Sequence, residues 1–178
     1  MAREDAETGG EEYPKEGHPV FVVQKHRAKM MHYDFRLEVG GVLKSWAVPK
    51  GPSMDPAEKR LAIPTEDHDM GYAGFEGVVP EGEYGAGAVM LWDRGTYRNL
   101  TEGAVSMEEA LSRGRATVDL HGIRLRGAFT LIRTRGGQWL LVKKRDTDAI
   151  PGWSEEPDPR SVASGKTLEE IGMEQEER

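Results

Sequence analysis

Residues 31–39 alternate strictly: Tyr33, Phe35, Leu37 and Val39 fall on one side of an extended chain, and His32, Asp34, Arg36 and Glu38 on the other. A period of two is the signature of a β-strand. Gly40-Gly41 then supplies a two-residue hairpin turn, and residues 42–48 return as a second strand. The β-branched and aromatic run 20–24 predicts a strand ahead of this pair. Similar runs predict strands over 60–65, 88–98, 115–121, 124–133 and 138–144, with another hairpin turn at Arg135-Gly136-Gly137. Pro64 lacks the N–H a central strand needs, so an edge or a bulge is expected there. One helix is expected over 107–113, with Ser106 as N-cap, Glu109 completing a capping box and Gly114 at its end. Many short strands, Gly-rich turns and little helix predict a mainly β fold, a closed or partly closed barrel or a sandwich. Gly82, Gly85 and Gly87 mark a loop; without a flanking strand–helix unit they are no nucleotide-binding fingerprint.

The chain has 178 residues, no cysteine and a formal net charge of −7. That length suits one domain with a real core. The absence of cysteine removes disulfide frameworks, thiolate metal sites and cysteine nucleophiles. No apolar run approaches the ~20 residues of a membrane helix, so a soluble cytoplasmic protein without membrane contact is expected. An acidic chain argues against a nucleic-acid partner only if its charge is evenly spread. It is not: residues 1–19 carry −4, residues 148–178 carry −6, and residues 20–147 carry +3. Three segments are therefore expected: an acidic flexible lead (1–19), a globular domain (20–147) and a tail (148–178). The tail is Pro-rich over 151–159 and then acidic, with Thr167 and Glu170 as a capping box ahead of Ile171 and Met173. Solvated ends are the expectation, a docked terminal helix the alternative.

The polar side of strand 31–39 bears the chemistry. His32, Asp34 and Arg36 follow one another ~7 Å apart along one face, and His26 precedes them across Arg27-Ala28-Lys29. Two imidazoles and a carboxylate make a facial set for a divalent metal. The guanidinium of Arg36 has the planar fork that grips a phosphate in a bidentate way. A metal beside an arginine suits phosphoryl chemistry. The residues alone leave other readings open. A His-x-Asp pair on a strand can be coincidence, and Arg36 can serve as a cross-strand partner for Asp34 or Glu38. His32 and Asp34 with a distant second histidine, His121, would also suit a non-haem iron oxygenase. His68 lies in Glu66-Asp67-His68-Asp69, where carboxylates would favour a cationic imidazole able to bind phosphate or protonate a leaving oxygen. Alone, Tyr72 reads as a core or rim aromatic, and Lys50 and Arg60 as exposed charges.

The blocks Phe21-Val-Val-Gln-Lys-His26 and His32-Tyr-Asp-Phe-Arg-Leu-Glu38 resemble the signature of the 3′-phosphoesterase domain of bacterial DNA ligase D, which also occurs free-standing in bacteria and archaea. The resemblance continues through Leu43-Lys-Ser-Trp-Ala-Val-Pro-Lys-Gly-Pro-Ser53, Glu66-Asp-His68, Tyr72, Phe75-Glu-Gly-Val-Val-Pro-Glu-Gly-Glu-Tyr-Gly-Ala-Gly87, Leu91-Trp-Asp-Arg-Gly95 and Trp139-Leu-Leu-Val-Lys-Lys-Arg-Asp146. It implies a compact β-barrel, here of about eight strands with one or two short helices. It implies a manganese-dependent repair enzyme of non-homologous end joining, with zinc or cobalt as alternative metals. Such an enzyme trims a terminal ribonucleoside from a DNA or RNA-tipped primer 3′ end to leave a 3′-phosphate, then removes that phosphate. Residue by residue, His26, His32 and Asp34 match the metal ligands, Arg36 and His68 the phosphate contacts, and Tyr72 a further essential residue. Gln24, Ser45, Lys50, Arg60 and Glu66 match supporting positions. Ligase, polymerase and end-binding repair proteins are the implied partners. A DNA-end-binding module without catalysis is the non-enzymatic alternative.

Overall fold

The computed structural model describes residues 17–176; the acidic lead expected over 1–19 falls almost wholly outside the described residues. The strands run β1 (Val20–Arg27), β2 (Met31–Val39), β3 (Val42–Val48), β4 (Arg60–His68), β5 (Gly77–Val79), β6 (Gly87–Asn99), β7 (Arg115–Gly122), β8 (Arg126–Arg133) and β9 (Trp139–Lys143). A 3-10 helix spans Met70–Gly74, and two α-helices span Met107–Arg113 (α1) and Leu168–Glu176 (α2). Antiparallel pairing in the order β1-β2-β3-β4-β9-β8-β7-β6 closes on itself through β6 and β1. The result is the expected barrel of eight strands, with β5 added beside the first residues of β6. Among the described residues no helix is long and apolar enough to cross a membrane.

The interior takes one face of each strand. Phe21, Val23, Phe35, Leu37, Trp46, Val48, Trp92, Leu120, Phe129 and Leu131 are all buried in a single cluster. The other face of β2 is not the solvated surface that strict alternation suggests, because Asp34 and Arg36 are also buried. The cover is local chain. Segment 70–86 folds back over the outside of β1–β3, and Gln24 Nε2 ties it down by donating to the carbonyls of Tyr72 (3.0 Å) and Phe75 (3.1 Å).

β4 runs beyond the expected 60–65, to His68. Its register against β3 shifts by one residue between Ser45↔Thr65 and Leu43↔His68, which is a β-bulge. β9 pairs with β4 only at Arg60, Leu61 and Ala62. Pro64 therefore lies where β4 has one strand neighbour, as its missing N–H requires. The α1 start differs in detail from expectation. Ser106 Oγ accepts from Glu109 N (3.0 Å), but the Glu109 carboxylate pairs with Arg113 (2.8 Å) instead of reaching back, so only half the capping box forms.

The segment from residue 148 onward, expected as a solvated tail, lies against the barrel. Ile150 N donates to Met54 O and Val162 N to Leu91 O, both at 2.9 Å. The capping box at α2 is complete: Thr167 N donates to Glu170 Oε1 and Glu170 N to Thr167 Oγ1. Leu168 and Ile171, one turn apart, enter the core, whereas Met173 is 51% exposed. Two apolar residues on one edge suffice to dock a helix whose first-turn acids, Glu169 and Glu170, are exposed. Ile171→Ala should lower unfolding free energy by about 2–4 kcal/mol, read as a shifted denaturant midpoint. An unchanged midpoint would mean that the helix contributes nothing to the fold.

Candidate metal and phosphate site

Strand register builds the site. β1 extends three residues past the expected 20–24, so His26 is a paired strand position opposite His32, and Gln24 stands opposite Asp34. The β2–β3 ladder sets Arg36 opposite Ser45. On this face Asp34 Oδ2 lies 3.5 Å from His26 Nδ1 and 3.2 Å from His32 Nε2. One ligand atom from each of the three residues falls within 4.8 Å of the others.

The remaining ring nitrogens settle the tautomers. His26 Nε2 donates to the Gly85 carbonyl at 2.7 Å, and His32 Nδ1 donates to the Met30 carbonyl at 3.1 Å. Each histidine is thereby oriented with its other ring nitrogen toward Asp34, the orientation in which a metal-ligating imidazole presents its lone pair once that nitrogen is unprotonated. Burial pushes the Asp34 pKa up, but hydrogen bonds to both histidines and the Arg36 charge outweigh it and hold the carboxyl well below its usual range. The hydrogen bond with Asp34 in turn lifts His32 above its ordinary value. An anionic carboxylate and two fixed imidazoles fit a divalent cation.

Arg36 is 3% exposed and fully engaged. Nε donates to Gln24 Oε1 (2.7 Å), Nη1 to Ser45 Oγ (2.8 Å), and Nη2 lies 3.6 Å from Asp34 Oδ2. The Tyr72 ring covers its guanidinium at 5.1 Å, a cation–π contact. Tyr72 itself stacks on Phe75 (4.9 Å between centroids) and leans on His68 (5.0 Å). Burial raises the Tyr72 phenol, which stays protonated at neutral pH. Arg36 Nη1 also stands 3.1 Å from His68 Nδ1. The same Nδ1 lies 3.1 Å from the Glu66 carbonyl, so it faces a donor and an acceptor at once. The carboxylate surroundings expected for His68 are thus not its closest charged contact, and Asp67 turns away to Lys44 at 3.2 Å.

These groups line one cleft of ≈ 340 Å³, with His26, His32, Asp34 and Arg36 as its floor and His68, Tyr72, Tyr84 and Gly85 as its walls. Gln24 and Ser45 lie beneath, fixing Arg36. Glu66 reaches the cluster only through its carbonyl, 3.1 Å from His68 Nδ1. Lys50 and Arg60 stand apart: Arg60 Nη1 donates to the carbonyls of Lys50 (2.6 Å) and Gly51 (2.9 Å), a turn clamp outside the cleft. His121 is on β7 with Nε2 3.1 Å from Asp119, also outside it. Gly85 escaped sequence reasoning as a contributor. Its only signal was the Gly82–Gly87 spacing, which fits a carbonyl-presenting loop as well as a plain turn.

A family model described as the DNA Ligase D 3′-phosphoesterase domain matches residues 24–133. The chain belongs to this family. The matched stretch of this phosphoesterase domain starts at Gln24 and takes in every residue of the cleft. The "Multifunctional non-homologous end joining protein LigD" of Pseudomonas aeruginosa is 50% identical over 157 residues, 83% of this chain and 18% of that protein. The corresponding repair protein of Mycobacterium tuberculosis is 52% identical over 126 residues, 71% of this chain and 16% of its own. That of Mycolicibacterium smegmatis is 46% identical over 140 residues, 76% and 18% respectively. The phosphoesterase chain thus spans less than a fifth of the length of these curated relatives.

Proposed function

We propose that this protein is a metal-dependent 3′-end-processing phosphoesterase acting in the repair and joining of DNA ends. The observation that carries the reading is the convergence of three ligand atoms, His26 Nδ1, His32 Nε2 and Asp34 Oδ2, beside a buried guanidinium. A divalent cation held by those three residues, manganese by preference with zinc or cobalt as alternatives, would polarise a phosphoryl oxygen. The chain's own residues do the rest. Arg36, pre-aligned by Gln24 and Ser45, binds non-bridging oxygens and offsets the charge that builds on them. His68 stands on the cleft wall, placed to pass a proton to a leaving oxygen. Tyr72 shields the guanidinium from water and so strengthens its field.

The substrate is a DNA or RNA-tipped primer 3′ end, from which a terminal ribonucleoside and then the 3′-phosphate are removed. Local charge allows this despite the net −7, since residues 20–60 carry eight bases against four acids, and a short end needs few phosphate contacts. The catalytic domain is placed at 20–147, with ligase, polymerase and end-binding repair proteins as its partners. Incubation with a primer–template ending in one ribonucleotide, with manganese, magnesium, zinc or a chelator, tests the reading. The expected result is metal-dependent shortening to a 3′-phosphate, then to a 3′-hydroxyl. Neither shortening nor phosphate removal under any metal would overturn it.

A further inference from the structure

A second cleft opens behind the 3-10 helix. Val20, Val22, Met70, Ala73, Gly74 and Arg94 line its ≈ 260 Å³. The two clefts share a wall: Tyr72 of this helix faces Arg36, whereas Met70, Ala73 and Gly74 face the second cleft. A register shift in the β1–β6 ladder between Val23 and Gln24 sets Arg94 opposite Val22. Arg94 thereby joins the outer barrel face that also bears Gln24 and His26.

Arg94 has a guanidinium that the rest of the protein leaves incompletely partnered. Among the described residues it forms no ion pair, and its Nε is buried without a hydrogen-bond partner. An unsatisfied, part-buried guanidinium disfavours the free protein and is completed by an incoming acceptor. The rest of the lining is apolar, from Gly74 and Ala73 up to Met70 and Phe21, and suits the face of a sugar. Along β1 at ~3.3 Å per residue, Val22 lies roughly 13 Å from His26. That is the length of about four stacked nucleotides at ~3.4 Å each.

We infer that this cleft is a nucleotide subsite: Arg94 binds a backbone phosphate of the substrate strand about four nucleotides upstream of the 3′ end, with the sugar against Val20, Val22 and Ala73. The inference rests on the phosphoesterase reading and adds a length requirement to it. The positive charge, the apolar floor and the wall shared with the catalytic cleft all match a polynucleotide strand.

Fluorescence anisotropy with labelled single-stranded oligodeoxynucleotides, from two to eight nucleotides and ending in a ribonucleotide, tests it. Turnover of the same oligonucleotides is followed in parallel. The unmodified protein should bind about tenfold more tightly once length passes about four nucleotides. Arg94→Gln should lose that step and lower the salt slope by about one, with dinucleotide affinity unchanged. A Cβ at Gly74 would meet no atom within 4 Å, so Gly74→Leu adds bulk to the cleft lining and should also lose the step. Thermal melts verify that both variants fold. The absence of a length step, or its persistence in Arg94→Gln, would overturn the subsite. Because binding is read without turnover, a protein that binds with the step but never cleaves would overturn the phosphoesterase reading alone.

Discussion

Asp34→Asn is expected to weaken Mn2+ binding by more than about 100-fold, beyond the 10–100-fold typical of residues that only support a ligand, and to abolish turnover of an RNA-tipped primer. The substitution keeps shape and removes charge. Asp34 Oδ2 is the point on which His26, His32 and Arg36 converge at 3.5, 3.2 and 3.6 Å. An amide cannot supply the anion that a cation between two neutral imidazoles requires. Calorimetric titration and thermal melting separate this from misfolding. Bound Mn2+ should raise the Tm of the unmodified protein by ligand linkage and leave that of Asp34→Asn unmoved. The acid limb supplies a second check. A carboxyl held below its usual range contributes stability at neutral pH that is lost as pH falls below about 4. Metal-free Asp34→Asn should show a flatter loss of stability there. Mn2+ binding at unmodified affinity in Asp34→Asn would remove this residue from the metal site.

The sequence made β2 legible because a period of two survives any barrel closure, and the His32-Asp34-Arg36 row with it. It did not reveal that both faces are buried, since the cover is segment 70–86, held by Gln24 across some fifty residues of chain. His26 read as part of a connection because the run of β-branched residues ends at Val23, yet cross-strand pairing with His32 and Val89 carries β1 on to Arg27. The C-terminal segment misled for a related reason. Its acids dominate the composition, and the two residues that decide its fate, Leu168 and Ile171, are a minority in it. Lys50 and Arg60 show the opposite limit. They entered through resemblance alone, and the structure joins them to each other in a turn clamp outside the cleft.

Arg36→Lys is the more discriminating substitution. Lysine keeps the charge but not the fork, and it cannot reach Gln24, Ser45 and His68 while facing Asp34. Turnover should fall by roughly 10²–10³-fold, the cost of losing one aligned donor to a developing oxyanion, while Mn2+ affinity stays close to that of the unmodified protein. Arg36→Ala should lose more and also some stability, because Gln24 Oε1 and Ser45 Oγ are then left in a buried site without their donor. A site that used His32 and Asp34 to activate oxygen would have no need of this guanidinium. Such a site would retain turnover in Arg36→Ala and consume oxygen with iron. A binding module would lose end affinity in the variant but show no turnover before the change. Only phosphoryl transfer predicts metal binding preserved, turnover lost and no oxygen consumed, all from one arginine whose ion pair with the metal-ligand set is to Asp34 alone.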